Sequence, residues 1–134
     1  MSGNAENLNS FCVFLLQKIY GWMKKNNGWI KLYVSILRNK IYKKPKHFHL
    51  WITLLLLANY QEHNYFFNGK EIKFLPGEFV TGRLKLKKIT GIAETTIEDI
   101  LNWLEKKHYI RQQKCSKYRV ITIVNWKIYQ GSDM

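Results

Sequence analysis

A chain of 134 residues with 46% hydrophobic and 15% aromatic residues can bury one core and is too apolar to be a disordered tail. Its formal net charge of +13 makes nucleic acid the first partner to consider and an anionic membrane surface the second. The longest apolar run, Leu50 to Ala58, is too short to span a bilayer, and the run from Phe11 to Leu16 lacks the preceding basic residue of a signal peptide. Cys12 and Cys115 form no CxxC pair, so ordinary thiols in a reducing, cytoplasmic compartment are expected.

In chain order, residues 1–27 read as an N-terminal extension, either helical or loosely attached. Phe11, Leu15, Ile19 and Trp22 would share one stripe of a helix there. The main domain is expected over residues 28–130, followed by a tail at 131–134. Within it, residues 30–39 read as a short helix ending near Asn39. Pro45 suits the first turn of a second helix, roughly Lys46 to Tyr60, which is apolar on nearly every side and so expected at the centre. Two short alternating strands are expected around Pro76-Gly77. A basic helix, Arg83 to Thr90, leads to Gly91, which permits the tight turn of a helix-turn-helix. The next helix would bury Ile97, Ile100, Leu101 and Leu104, at the spacing i, i+3, i+4, i+7. A hairpin closes the domain, its strands flanking a turn at Lys114 to Lys117. Helix, strand, helix, helix, hairpin is the order of a winged helix. The expected fold class is therefore mainly α with a small antiparallel sheet. Its core would include Leu54, Leu55, Leu86, Ile121 and Ile123 besides the four residues just named.

Five stretches carry a family resemblance: GWIKLYVSIL, KKPKHFHLWITLLLLAN, GEFVTGRLKLKKITGI, TIEDILNWLEK and YRVITIVNWKIYQ. Together, over roughly residues 28–130, they resemble the N-terminal winged-helix domain of DnaD-like replication initiators of phages and prophages in low-GC Gram-positive bacteria. The resemblance implies origin DNA binding in a bacterial host cell and recruitment of replication proteins such as a helicase loader. It leaves a homo-oligomer open. Such initiators usually continue into a second domain, whereas this sequence ends at Met134; a truncated relic or a lone module is the corresponding expectation.

The charge is uneven. Residues 28–60 carry six cations and no acid, and residues 83–93 carry four cations and no acid, yet residues 94–107 sum to −2. The helix expected to meet DNA thus carries Glu94, Glu98 and Asp99. One reading is structural: Glu94 faces the positive end of the helix dipole, and Thr95 with Glu98 fits a capping box. The other is functional: Thr95, Thr96 and Asn102 would bond to base edges, and the acids would accept from cytosine or penalise loose docking. Affinity would then come from Arg83, Lys85, Lys87 and Lys88 on the preceding helix and from Arg111, Lys114, Lys117 and Arg119 on the wing. Lys40, Lys43, Lys44 and Lys46 are either a second phosphate site or a solubilising loop. His47 and His49 with His63 or Cys115 lack metal-ligand spacing, so no metal and no cofactor is expected. Trp51 and Trp103 are read as packing residues, and Trp29 and Trp126 as either packing residues or base-stacking platforms, with the core preferred. No catalytic motif is present, so an enzyme is not expected. The competing function is a protein-interaction adaptor using the acidic face and the apolar N-terminal segment.

Overall fold

A computed structural model describes residues 28–58, 63–67, 69–115 and 118–130. The extension at 1–27 and the tail at 131–134 lie outside them. Segment 30–39 is not one helix. It forms two short 3-10 helices, Val34–Arg38 and Lys40–Lys43, interrupted at Asn39. Asn39 is extended, and its side chain accepts the Ile41 N–H at 3.0 Å, so it starts a new turn rather than continuing the old one. Ile41 is then driven fully into the core.

Helix α1, Pro45–Leu57, begins with Pro at the position where a missing N–H costs nothing. It buries Leu50, Trp51, Leu54, Leu55 and Leu57, which makes it central as expected. Strands β1 (His63–Phe67) and β2 (Lys70–Phe74) pair antiparallel, Phe67 opposite Lys70, so the link is the dipeptide Asn68-Gly69. Strand β3 (Glu78–Thr81) follows a turn in which Glu78 N–H donates to the Leu75 carbonyl at 3.1 Å. Pro76 and Gly77, with φ +88°, fill the central places of a type II turn. The two strands expected around Pro76-Gly77 exist, but they do not pair with each other. A type II turn does not match the twist that hairpin strands need. Strand β2 therefore pairs back with β1, and β3 joins a different sheet.

Helix α2 (Arg83–Thr90) and helix α3 (Glu94–Lys106) meet through Gly91, at φ +77°. Thr90 closes the turn: its hydroxyl donates to the Leu86 carbonyl and accepts the Ile92 N–H. Strands β4 (Ile110–Cys115) and β5 (Tyr118–Ile123) form the expected hairpin, and the three-stranded antiparallel sheet runs β3-β5-β4. A short helix α4, Trp126–Gln130, ends the described chain. Among the described residues the class is thus mixed α and β with helices predominating. All nine expected core residues are buried, together with Phe79, Val80 and Ile110.

Two C-terminal side chains hold the ends of the fold together. Trp126 is buried against Gly77. Gln130 clasps the backbone of Lys31: its Nε2 donates to the Lys31 carbonyl at 2.8 Å and its Oε1 accepts the Lys31 N–H at 2.6 Å. Replacing Gln130 by Ala removes both of these bonds from a half-buried backbone segment. The expected loss is about 1–2 kcal/mol in urea denaturation, with faster amide exchange over residues 29–39.

Trp29 departs from the packing expectation: it is 70% exposed, whereas Trp51 and Trp126 are buried and Trp103 is half-buried. It stands in a segment without regular secondary structure, where no helical or strand period carries its ring inward.

Candidate functional site

Helix α3 has three distinct sides. Ile97, Ile100, Leu101 and Leu104 are buried in the core. Thr95, Asp99, Asn102 and Lys106 are exposed, at the spacing i, i+4, i+7, i+11 of one helical row. Between them stand Glu98 and Glu105, and this polar side is bonded to the β4–β5 hairpin. The Arg119 Nη1 donates to Glu98 Oε2 at 2.7 Å and to Gln112 Oε1 at 2.7 Å. The Lys114 Nζ donates to Glu98 Oε1 at 3.1 Å. Glu105 accepts the Gln112 N–H at 3.0 Å and the Gln112 Nε2 at 3.1 Å. A weaker contact, 3.4 Å, joins Gln112 Nε2 to Asn102 Oδ1.

The acids of α3 therefore have unequal employment. Glu94 stands in the first turn, where its charge favours the helix dipole. Glu98 is the counterion of the hairpin. The capping box does not form: the cap position is Ala93, without a side-chain bond, so Thr95 lies two residues too far inside the helix and the Glu98 carboxylate turns to Arg119 and Lys114. Burial pushes the Glu98 carboxyl upward, but the hydrogen bonds and charges of Arg119 and Lys114 outweigh it and hold it below its ordinary value. Asp99 alone is left exposed on the outer row.

The basic residues divide in the same way. Arg119 was expected at a phosphate, but its side chain is 7% exposed and committed to Glu98 and Gln112. The sequence carried a signal for this. In YRVITI the alternation puts Arg119 on the same face as Ile121 and Ile123, which are both buried. Glu105 and Gln112 were not singled out either. Glu98 and Glu105, seven residues apart beside the apolar row of α3, are the pattern that could have found the seam. Lys114 is exposed but shared with Glu98, Arg111 is exposed, and Lys117 lies outside the described residues. On α2, Arg83, Lys87 and Lys88 are exposed. Lys85 is half-buried, and burial first, then the charge of Lys88, lowers its pKa. Thr96 is half-buried.

His47 faces Trp103 edge-on, with ring centroids 5.0 Å apart, rather than a metal ligand. Among the described residues no group of three or more His, Cys, Asp or Glu is placed to hold a metal ion, and no helix is long and apolar enough to cross a membrane. The side chains of His63 and Cys115 lie outside what is described. Comparison with protein-family models, with curated proteins and with solved structures finds no match for this chain.

Proposed function

We propose that this chain is a non-catalytic winged-helix module that binds double-stranded DNA, of the kind used by phage and prophage replication initiators or by related transcriptional regulators. The order α1, β3, α2, α3, β4, β5 supports it, as does a hairpin whose strand β5 lies between β4 and β3. One observation carries the reading: α3 keeps an outer row of hydrogen-bonding side chains exposed, while its seam with the hairpin is closed by Glu98 and Glu105. In this reading Thr95, Asp99 and Asn102 meet base edges, and Thr96 lies beside them. Arg83, Lys87, Lys88, Arg111 and Lys114 meet phosphates. Glu98 and Arg119 shape the surface and touch no DNA. The setting is the cytoplasm of a bacterial host, with a helicase loader as the protein partner.

A second reading, a protein-interaction adaptor, draws on a different observation. Trp29, Val34 and Ile128 are at least 70% exposed, and Leu32 and Leu37 are half exposed. Asp99→Asn separates the two. If α3 reads DNA, removing a charge that repels the backbone raises affinity for random duplex and narrows the gap to the preferred site. Lys87→Ala with Lys88→Ala lowers affinity for every duplex alike and reduces the salt slope by about two. Should Asp99→Asn leave DNA binding untouched and abolish a protein contact, the adaptor reading replaces this one.

A further inference from the structure

Away from the hairpin seam, the other flank of α3 meets the start of α1 in a cluster of cations around one indole. Lys44 Nζ lies 5.8 Å from the centre of the Trp103 ring. His47 packs edge-on against the same ring, and Tyr109 stacks on it with centroids 6.0 Å apart and planes at 18°. Lys106 and Lys107 follow Trp103 by three and four residues, so they neighbour it on the helix surface. Lys43, Lys44, Lys46, Lys106 and Lys107 are all exposed. Among the described residues, Glu98 pairs with Lys114 and Arg119, and neither ion pair reaches this cluster. The segment 28–60 contributes no acid at all.

Like charges gathered without counterions repel one another, and a solvated face has no need to gather them around a fixed ring. The crowding is felt locally: burial first, then the charge of Lys44, holds the His47 imidazole below its ordinary pKa. We propose that the cluster around Trp103 is a second, sequence-independent contact for the phosphodiester backbone of duplex DNA, separate from the wing and adjoining the outer row of α3 only at Lys106. This rests on the DNA-binding reading of α3. The indole does not offer itself to an unstacked base, because Tyr109, His47 and Lys44 already surround it. Its part is to hold the Lys44 stem in place, and the lysines meet phosphates as point charges.

The test uses the full chain, a random duplex and a single strand of equal length, each titrated at two salt concentrations. Lys44→Gln with Lys46→Gln changes exposed side chains only, and a thermal melt checks that the fold is intact. The expected result is a salt slope on duplex smaller by about two, with base preference unchanged. His47 should also titrate at higher pH in the complex than in the free protein. A phosphate beside it offsets the charge of Lys44, which caps the same helix; Asp99, Glu105, Lys106 and the capping Lys107 are the charged residues of α3 within four positions of Trp103. A wild-type slope in the double variant, with duplex binding otherwise intact, overturns the second contact and leaves the reading of α3 standing. Failure of the wild-type chain to bind duplex at low salt overturns both. Tighter binding to the single strand with quenching of the Trp103 indole overturns the backbone assignment in favour of base stacking. A shift of His47 by an acidic peptide but not by duplex overturns it in favour of a protein partner.

Discussion

Glu98→Ala should destabilise the fold by about 3 kcal/mol, more than any other change to the polar surface of α3. Removing one partner of a buried ion pair costs about 3–5 kcal/mol, because the other charge is left without a counterion. The lower end applies, since the Glu98 side chain keeps 24% of its exposure while Arg119 keeps 7%. Glu98→Leu combined with Arg119→Met should recover most of the loss, because no charge then remains in the seam. The double change also removes Arg119 Nε, which has no hydrogen-bond partner among the described residues. The dependence on pH has a definite sign. The folded-state pKa of Glu98 is lowered, so its contribution is fully present above the ordinary carboxyl range of about 4.3 and fades as pH falls through the folded value. Denaturation of wild type and Glu98→Gln should differ most near neutral pH and converge in acid. A gap that stays constant with pH would mean that packing, not charge, joins α3 to the hairpin.

Gly77→Ala should cost about 3 kcal/mol, by a different route. Gly77 has φ +88°, where an L-residue loses about 1–2 kcal/mol. An added Cβ would also stand 2.8 Å from Trp126 Cβ and 2.9 Å from its Cγ, so the buried indole must move. Gly91→Ala is the control. Its φ is +77°, but nothing lies within 4 Å of the new methyl, so only the backbone cost of about 1–2 kcal/mol is expected. The difference between the two melts measures how tightly the C-terminal helix is seated on the sheet. Equal losses would show that Trp126 yields at no cost.

The elements that sequence reading found are those whose signals are local. Pro45 starts α1, Gly91 turns α2 into α3, and the spacing of Ile97, Ile100, Leu101 and Leu104 states which side of α3 is inward. What escaped was pairing. Pro76-Gly77 looks like a hairpin turn, but its geometry belongs to type II. The stronger hairpin signal in the sequence, Asn-Gly, stands eight residues earlier, between the paired strands β1 and β2. The candidate site was legible by residue type and not by direction. Arg119 is a cation in a basic hairpin, yet its place between buried positions of β5 points it inward. Once Arg119 is inside, Glu98 must be its counterion, and two of the four acids of α3, Glu98 and Glu105, become internal wiring. Gln130 could not be read at all. Its partner is the backbone of Lys31, 99 residues away, and no pattern in sequence marks a side chain that bonds to a distant peptide group.

The claim that this basic chain docks on duplex DNA through α3 and its flanking cations is tested most directly by titrating the unmodified protein with random duplex across a range of salt. Neutralised phosphates release counterions, so the logarithm of the affinity should fall linearly with the logarithm of salt concentration. The expected slope is about −4 to −6, as for a surface that engages roughly five or six phosphates. No binding at low salt, or a slope near zero, would contradict the account and leave the exposed row of α3 to a protein partner.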